Sequence, residues 1–187
     1  MTFSKHFNII VACTFDGGIG YNNYIPWNIK AELKKFREIT IKVEDKKKIN
    51  AVIMGSKTWI SLQSKPLKGR LNIVLTSTYR NELDYPNQNV KFVQNFEEAL
   101  SCCKYDVIEN IFVIGGAKVY DDILYDNYYI NKINKIYLTV LFYDERIKTN
   151  KSIDLKKIFQ KFKLIKDTDY EEEHKNRIFS SYIAYPK

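Results

Sequence analysis

The sequence predicts a single α/β domain whose mostly parallel, twisted sheet ends in an antiparallel edge. Three observations lead there. Nearly continuous apolar runs at 7–13, 51–54, 71–75, 90–93 and 111–114 read as strands covered on both faces. Helical periodicity falls between most of them, which is the alternation of a parallel sheet. Beyond residue 135 the alternation stops: 136–142, 162–166 and 178–184 read as strands without helices between them, and these close the sheet in antiparallel fashion. The periodicity thus gives eight strands and four flanking helices.

Taken in order, the 7–13 run is followed by a glycine-bearing loop, Asp16-Gly17-Gly18-Ile19-Gly20, which Pro26-Trp27 closes. Asn28 is suited to cap the first helix. On that helix Ile29, Leu33 and Phe36 recur at i, i+4 and i+7 and make one apolar face. Glu32 breaks the pattern, because it sits beside Leu33 on the inner edge of that face. A carboxylate there costs several kcal/mol or shifts its pKa unless something pairs with it. The 51–54 strand ends in Gly55-Ser56-Lys57-Thr58 before a short helix through Trp59, Ile60 and Leu62. A loop through Pro66 and Gly69-Arg70 leads to the third strand, and Asn95 caps a helix over 96–104 with Glu97 and Glu98 in its first turn. Gly115-Gly116 leads from the 111–114 strand into a helix through Val119, Tyr120, Ile123 and Leu124.

Composition narrows the function. At 187 residues, with 45% hydrophobic and 28% charged residues, the chain reads as one soluble domain over 1–187. It shows neither a membrane-spanning run nor a signal peptide. Three cysteines, two of them adjacent, make no disulfide framework and fit a reducing, cytoplasmic address. With two histidines, His6 and His174, no metal site is expected. The net charge of +8 fits either a solvated lysine surface or an anionic ligand. A nucleic-acid-binding domain would need aromatics interleaved with Lys and Arg on one face, of which Tyr128, Tyr129 and Tyr137 give only a trace.

Two strand-to-helix turns carry anion chemistry. Gly55-Ser56-Lys57-Thr58 and Gly115-Gly116-Ala117-Lys118 both join a strand's carboxyl end to a helix N-terminus, where free N–H groups favour phosphate. Ligands of open α/β sheets gather at that edge. Neither turn is a Walker A loop or a G-x-G-x-x-G fingerprint. Alone, each is more often a tight connection than a ligand site. With Gly17-Gly18-Ile19-Gly20 at the same edge they point to a ligand with several phosphates, such as a dinucleotide. Thr76-Ser77-Thr78-Tyr79-Arg80 adds hydroxyls and a guanidinium that fit a further phosphate.

In this order, the pieces resemble dihydrofolate reductase. The matching residues are Ile19-Gly20 through Pro26-Trp27, Glu32 with Phe36 and Thr40, and Val52-Ile53-Met54-Gly55 with Thr58-Trp59. Pro66-Leu67, Gly69-Arg70, Asn72, Ile114-Gly115-Gly116, Val119-Tyr120 and Tyr137-Leu138-Thr139 complete the set. The resemblance spans 8–142, and a glutamate as the acid, with an insertion at 41–50, is similar to the eukaryotic side of the family. It implies NADPH-dependent reduction of 7,8-dihydrofolate to tetrahydrofolate by a monomer that antifolates would inhibit, with a thymidylate synthase as a separate or fused partner outside this chain.

The resemblance also implies roles. Glu32 would be the acid facing the pterin, with Thr139 orienting it and Trp27 holding a water. Ile10, Leu33, Phe36, Thr58, Leu62, Leu67 and Ile114 would wall the folate slot, and Arg70 would clamp the glutamate tail. Ala12, Ile19 and Gly20 would meet the nicotinamide end of the cofactor. Gly55, Ser56, Lys57, Thr58, Gly115, Gly116, Ala117, Lys118 and Val119 would cradle its pyrophosphate. Tyr120 would stand beside its ring, and Leu75, Thr76 and Ser77 would face its far end. The loop over 16–24 would close as a lid. Ser56 and Ser77 stand where many relatives carry a basic residue, which leaves NADPH over NADH open. A pyrimidine reductase of riboflavin synthesis shares this fold, but that family lacks an acid paired with Pro-Trp.

Overall fold

The first apolar run folds because it has partners on both faces. In a computed structural model that describes residues 5–78, 89–142, 147–167 and 178–187, it forms β1, Phe7–Thr14. Ile9, Val11 and Cys13 enter one apolar cluster. Ile10 enters another on the opposite face, with Val52, Met54, Val74 and Phe112. Burial on both sides explains why the run is continuous rather than alternating.

The other strands follow the sequence closely. They are β3 Ile49–Gly55, β4 Arg70–Leu75, β5 Val90–Val93, β6 Ile108–Val113, β7 Ile133–Phe142, β9 Phe162–Lys166 and β10 Ile178–Pro186. With β1 they make an eight-stranded sheet in the order β5-β4-β3-β6-β1-β7-β10-β9. Pairings from β5 through β7 are parallel, whereas β10 runs antiparallel to both β7 and β9. The expected antiparallel C-terminal edge is therefore present. From β3 the chain moves outward to β4, and from β6 it crosses to β7 on the other side. This divergence makes the carboxyl ends of β3 and β6 a topological switch point, the place where open α/β sheets hold ligands.

The helices need correction. Six are present among the described residues, not four: α1 Lys30–Ile41, α2 Ser56–Ser61, α3 Phe96–Cys102, α4 Ala117–Leu124, α5 Asn127–Ile130 and α6 Leu155–Lys161. The Asp154 carboxylate caps α6 by accepting the Lys157 N–H at 2.9 Å. α6 thus lies between β7 and β9, where no helix was expected. A small second ladder also forms, pairing β2, Gly18–Gly20, with β8, Lys151–Ser152. Asn95 caps α3 as expected, accepting the Glu98 N–H at 2.9 Å. Asn28 does not cap α1. Ile29 holds the N-cap position, and no side chain bonds there.

The face of α1 differs too. Ile29 is buried and Phe36 packs on the core, but Leu33 is 49% exposed. The residues that α1 buries most deeply are Lys35 and Thr40, at 5% and 0% exposure. Helical geometry explains the shift: positions 32, 36 and 39 share a stripe, and 33 lies about 100° from 32, toward its flank.

Candidate active site

Glu32 is positioned by the first turn of α1. Its side chain lines a small cavity between the helix and the sheet, with Ile10 from β1, Phe36 from α1, and Tyr137 and Thr139 from β7. Among the described residues no hydrogen-bond donor is paired with its carboxylate. Burial pushes the carboxyl from its ordinary 4.5 up to about 7, and the Lys35 ammonium pulls the other way. The group therefore sits at the point where a ligand's donors decide its charge.

Thr139 is 8% exposed on β7, opposite Ala12 of β1 and Ser181 of β10. Trp27 packs with Ala31 against Ile29, Leu141 and Phe179. The Trp27 indole Nε1–H is buried without a hydrogen-bond partner among the described residues. A buried indole donor normally has one, so this N–H is suited to a water or a ligand acceptor.

The guanidinium of Arg70 opens β4. Only 4% exposed, it donates from Nη1 to Thr40 Oγ1 at 2.6 Å and from Nε to the Lys68 carbonyl at 3.2 Å. Burial, and then the Arg37 cation, lower it to about 10, which still leaves it charged at neutral pH. Among the described residues no carboxylate pairs with it. A buried cation beside a second cation is prepared for an anion from outside. Asn72 fixes the preceding turn, accepting the Leu67 N–H at 2.9 Å and donating to the Arg70 carbonyl at 2.9 Å. Leu62, Leu67 and Ile114 pack against the same apolar cluster as Phe36, so these wall residues converge; Leu33 stands outside that cluster at the open flank.

At the β3/β6 switch point the Gly55 N–H donates to the Gly115 carbonyl at 2.7 Å. The Gly115–Gly116 peptide is cis, and Gly115 has φ +96°. A Cβ at Gly115 would lie 2.8 Å from the Tyr120 ring, and one at Gly116 would lie 3.2 Å from Thr58 Oγ1. Gly55, Thr58, Gly115, Gly116, Val119 and Tyr120 are thus brought together with no room for extra side chains. Tyr120 is 3% exposed and donates to the Ile10 carbonyl at 2.9 Å, which ties α4 to β1. Ala117 begins α4, whereas the Lys118 ammonium is engaged by Asp122 at 2.7 Å on the surface.

Ser56 and exposed Lys57 open α2, and Leu75, Thr76 and Ser77 end β4 and the turn after it. Thr76 Oγ1 accepts the Thr78 N–H at 3.1 Å. Arg80 lies outside the described residues. Ile19 and Gly20 belong to β2, which β8 holds, and Asn150 reinforces the loop by donating to Asn22 Oδ1 at 2.9 Å.

Sequence reasoning missed Lys35 and its partner. The Lys35 Nζ lies 2.9 Å from Asp167 Oδ2, and both side chains are nearly buried. Lys35 is three residues from Glu32, a spacing that puts both on one helix face, so half of this arrangement could have been read from the chain. Asp167 could not.

Comparison with known proteins fits this geometry. The family model for dihydrofolate reductase matches residues 6–187. A putative dihydrofolate reductase of Caenorhabditis elegans is 37% identical over 82% of each chain. The dihydrofolate reductase of Aedes albopictus is 35% identical over 98% of each. A bifunctional dihydrofolate reductase-thymidylate synthase of Zea mays is 41% identical over 62% of this chain, a match that spans 23% of that longer protein. The chain belongs to the dihydrofolate reductase family of enzymes.

Proposed function

We propose that this enzyme reduces 7,8-dihydrofolate to 5,6,7,8-tetrahydrofolate with NADPH, by hydride transfer to C6 and protonation at N5. One observation carries the reading: the half-buried carboxylate of Glu32 lines a slot with Ile10, Phe36 and Ile39 and has no donor paired to it among the described residues. A pterin edge offers a ring N–H and an exocyclic amino group side by side, and a carboxylate accepts both. Charge-assisted bonds of this kind contribute about 1.5–3 kcal/mol each. Binding those donors favours the ionised carboxylate, which in turn raises the proton affinity of the ring it holds.

The remaining residues position and exclude. Arg70, preset by Thr40, takes the carboxylate of the glutamate tail. Ile10, Phe36, Leu62, Leu67 and Ile114 sandwich the flat rings, and Leu33 gains cover when a ligand fills the slot. Thr139 stands in the same cavity to orient Glu32. Among the described residues no second carboxyl lines that cavity, and we take water as the source of the N5 proton, with the Trp27 Nε1–H as a holding donor.

Gly55, Gly115 and Gly116, in the turns that lead into α2 and α4, would hold the pyrophosphate, and Tyr120, tied to the Ile10 carbonyl, would back the wall beside a flat ring. NADPH, when bound, supplies the hydride. Thr76 and Ser77 would face its 2′-phosphate. The bifunctional relatives carry thymidylate synthase in one chain with the reductase, and we take such a synthase, fused or separate, as the metabolic partner. The three free thiols fit a cytoplasmic setting, and no helix among the described residues is long and apolar enough to cross a membrane.

Nucleotide absorbance followed with dihydrofolate, and separately with a pyrimidine of the riboflavin route, tests the reading. Turnover with dihydrofolate is expected. Turnover confined to the pyrimidine would overturn it.

A further inference from the structure

Behind Glu32 lies an ion pair that the reaction as described does not use. Lys35, 5% exposed, lines the same cavity as Glu32 and Thr139. Its Nζ lies 2.9 Å from Asp167 Oδ2, with side-chain exposures of 6% and 12%. Asp167 follows β9 and is itself tied to β10, where its N–H donates to the Ser181 carbonyl at 2.7 Å. The pair is therefore anchored to the sheet at one end and to the helix of Glu32 at the other.

A buried ion pair is a poor device for stability alone, because the desolvation of two charges offsets their attraction. An apolar residue at position 35 would extend the stripe of Phe36 and Ile39 on the sheet-facing side. What an apolar residue cannot supply is a fixed cation one helical turn from a buried carboxylate. We propose that Lys35, held by Asp167, is a positioning residue of the reductase: it acts through Glu32, as a built-in counter-charge that draws the carboxylate toward ionisation while it waits for the substrate's donors.

The groups facing Glu32 support this. From α1 the Lys35 ammonium is the charge that draws Glu32 back toward ionisation, against burial. From β7 and β10 come Tyr137 and Tyr182, which line the cavity. Burial raises the Tyr137 phenol, so it stays neutral in the working range. On α4, Tyr120 is buried and its phenol is raised by desolvation, with the Glu32 charge as a smaller cause. Asp167 is an anion against which Lys35 stands. Lys35 is therefore the cation acting on Glu32 among these groups. Asp167 moderates it, so that Glu32 is favoured as an anion without being locked to a lysine and lost to the substrate. This inference rests on the assignment of Glu32 as the substrate's acid.

Titrating the Glu32 carboxyl by carbon NMR, in carboxyl-labelled protein without ligands, gives a test independent of turnover. Lys35→Met removes the cation and bares an anion, so the Glu32 midpoint rises by about one pH unit. Asp167→Asn removes a competitor for the cation, and the midpoint falls below that of the wild type. The double variant Lys35→Met/Asp167→Asn removes both charges of the pair and lies between wild type and Lys35→Met. A purely structural pair would lower stability in both single variants without moving the midpoint in opposite directions. Equal or same-direction shifts overturn the proposal. If neither single variant folds, the double variant decides: a midpoint equal to the wild type's overturns it. Opposite shifts in an enzyme that fails to reduce dihydrofolate would uphold the counter-charge and reject the substrate assignment instead.

Discussion

Arg70 Nη1 donates to Thr40 Oγ1 at 2.6 Å, and that same hydroxyl donates to the Phe36 carbonyl at 2.7 Å. The first residue of β4 is thus fixed to the last turn of α1 through one fully buried threonine. One hydroxyl thus ties Arg70 to the helix that carries Glu32 and Phe36.

Thr40→Val keeps the shape and removes that hydroxyl. One neutral-to-charged hydrogen bond contributes roughly 1.5 kcal/mol or more, so the KM for dihydrofolate is expected to rise about tenfold. The chemical step does not involve the tail, and kcat should stay within about twofold. Steady-state kinetics with a substrate lacking the glutamate tail completes the check, since that substrate should not distinguish the variant from wild type.

Glu32 has a measurable cost to the free protein. Its folded pKa, about 7, is above the ordinary 4.5, so the folded state binds the proton more tightly than the unfolded chain does. Stability from this group is greatest below the unfolded value and declines as pH rises through the folded one. Glu32→Gln is therefore expected to stabilise the ligand-free protein at pH 8 by up to about 3 kcal/mol, and by less than about 1 kcal/mol at pH 5. Urea melts at the two pH values measure the difference. A gain that is larger at pH 5 would contradict the burial account.

Gly115 tests the proposed cofactor site. With φ +96° and a Cβ position 2.8 Å from the Tyr120 ring, Gly115→Ala strains the backbone and displaces the tyrosine from the Ile10 carbonyl. The expected loss is about 1–3 kcal/mol of stability, with nucleotide affinity reduced at least roughly tenfold. Fluorescence titration with NADPH reads the second effect. Unchanged affinity would place the nucleotide elsewhere.

The extent to which the chain could be read follows from the range of its interactions. β1, β3, β4, β6 and β7 were legible because each carries a nearly continuous apolar run, a property of local sequence. α6 was not, since Lys156, Lys157 and Lys161 dilute its pattern and only Ile158 is buried. α5 is four residues long, too short to show a period. The two-residue β8 exists only by pairing with β2 across the loop. Within the site, Glu32, Arg70 and the glycine turns stood out by residue type and order. Leu33 was misplaced because a spacing of i+4 does not fix which flank of a helix meets the sheet. The burial of Lys35 depends on an aspartate 132 residues away, which no local signal carries.

The most direct test of the central claim is Glu32→Ala, assayed for dihydrofolate-dependent oxidation of NADPH beside the wild type, with NADPH binding measured in both. The account predicts a loss in kcat/KM of about 10²- to 10⁴-fold, from two charge-assisted bonds of about 1.5–3 kcal/mol each, while NADPH affinity is retained. A variant that turns over dihydrofolate within a few fold of the wild type would contradict it.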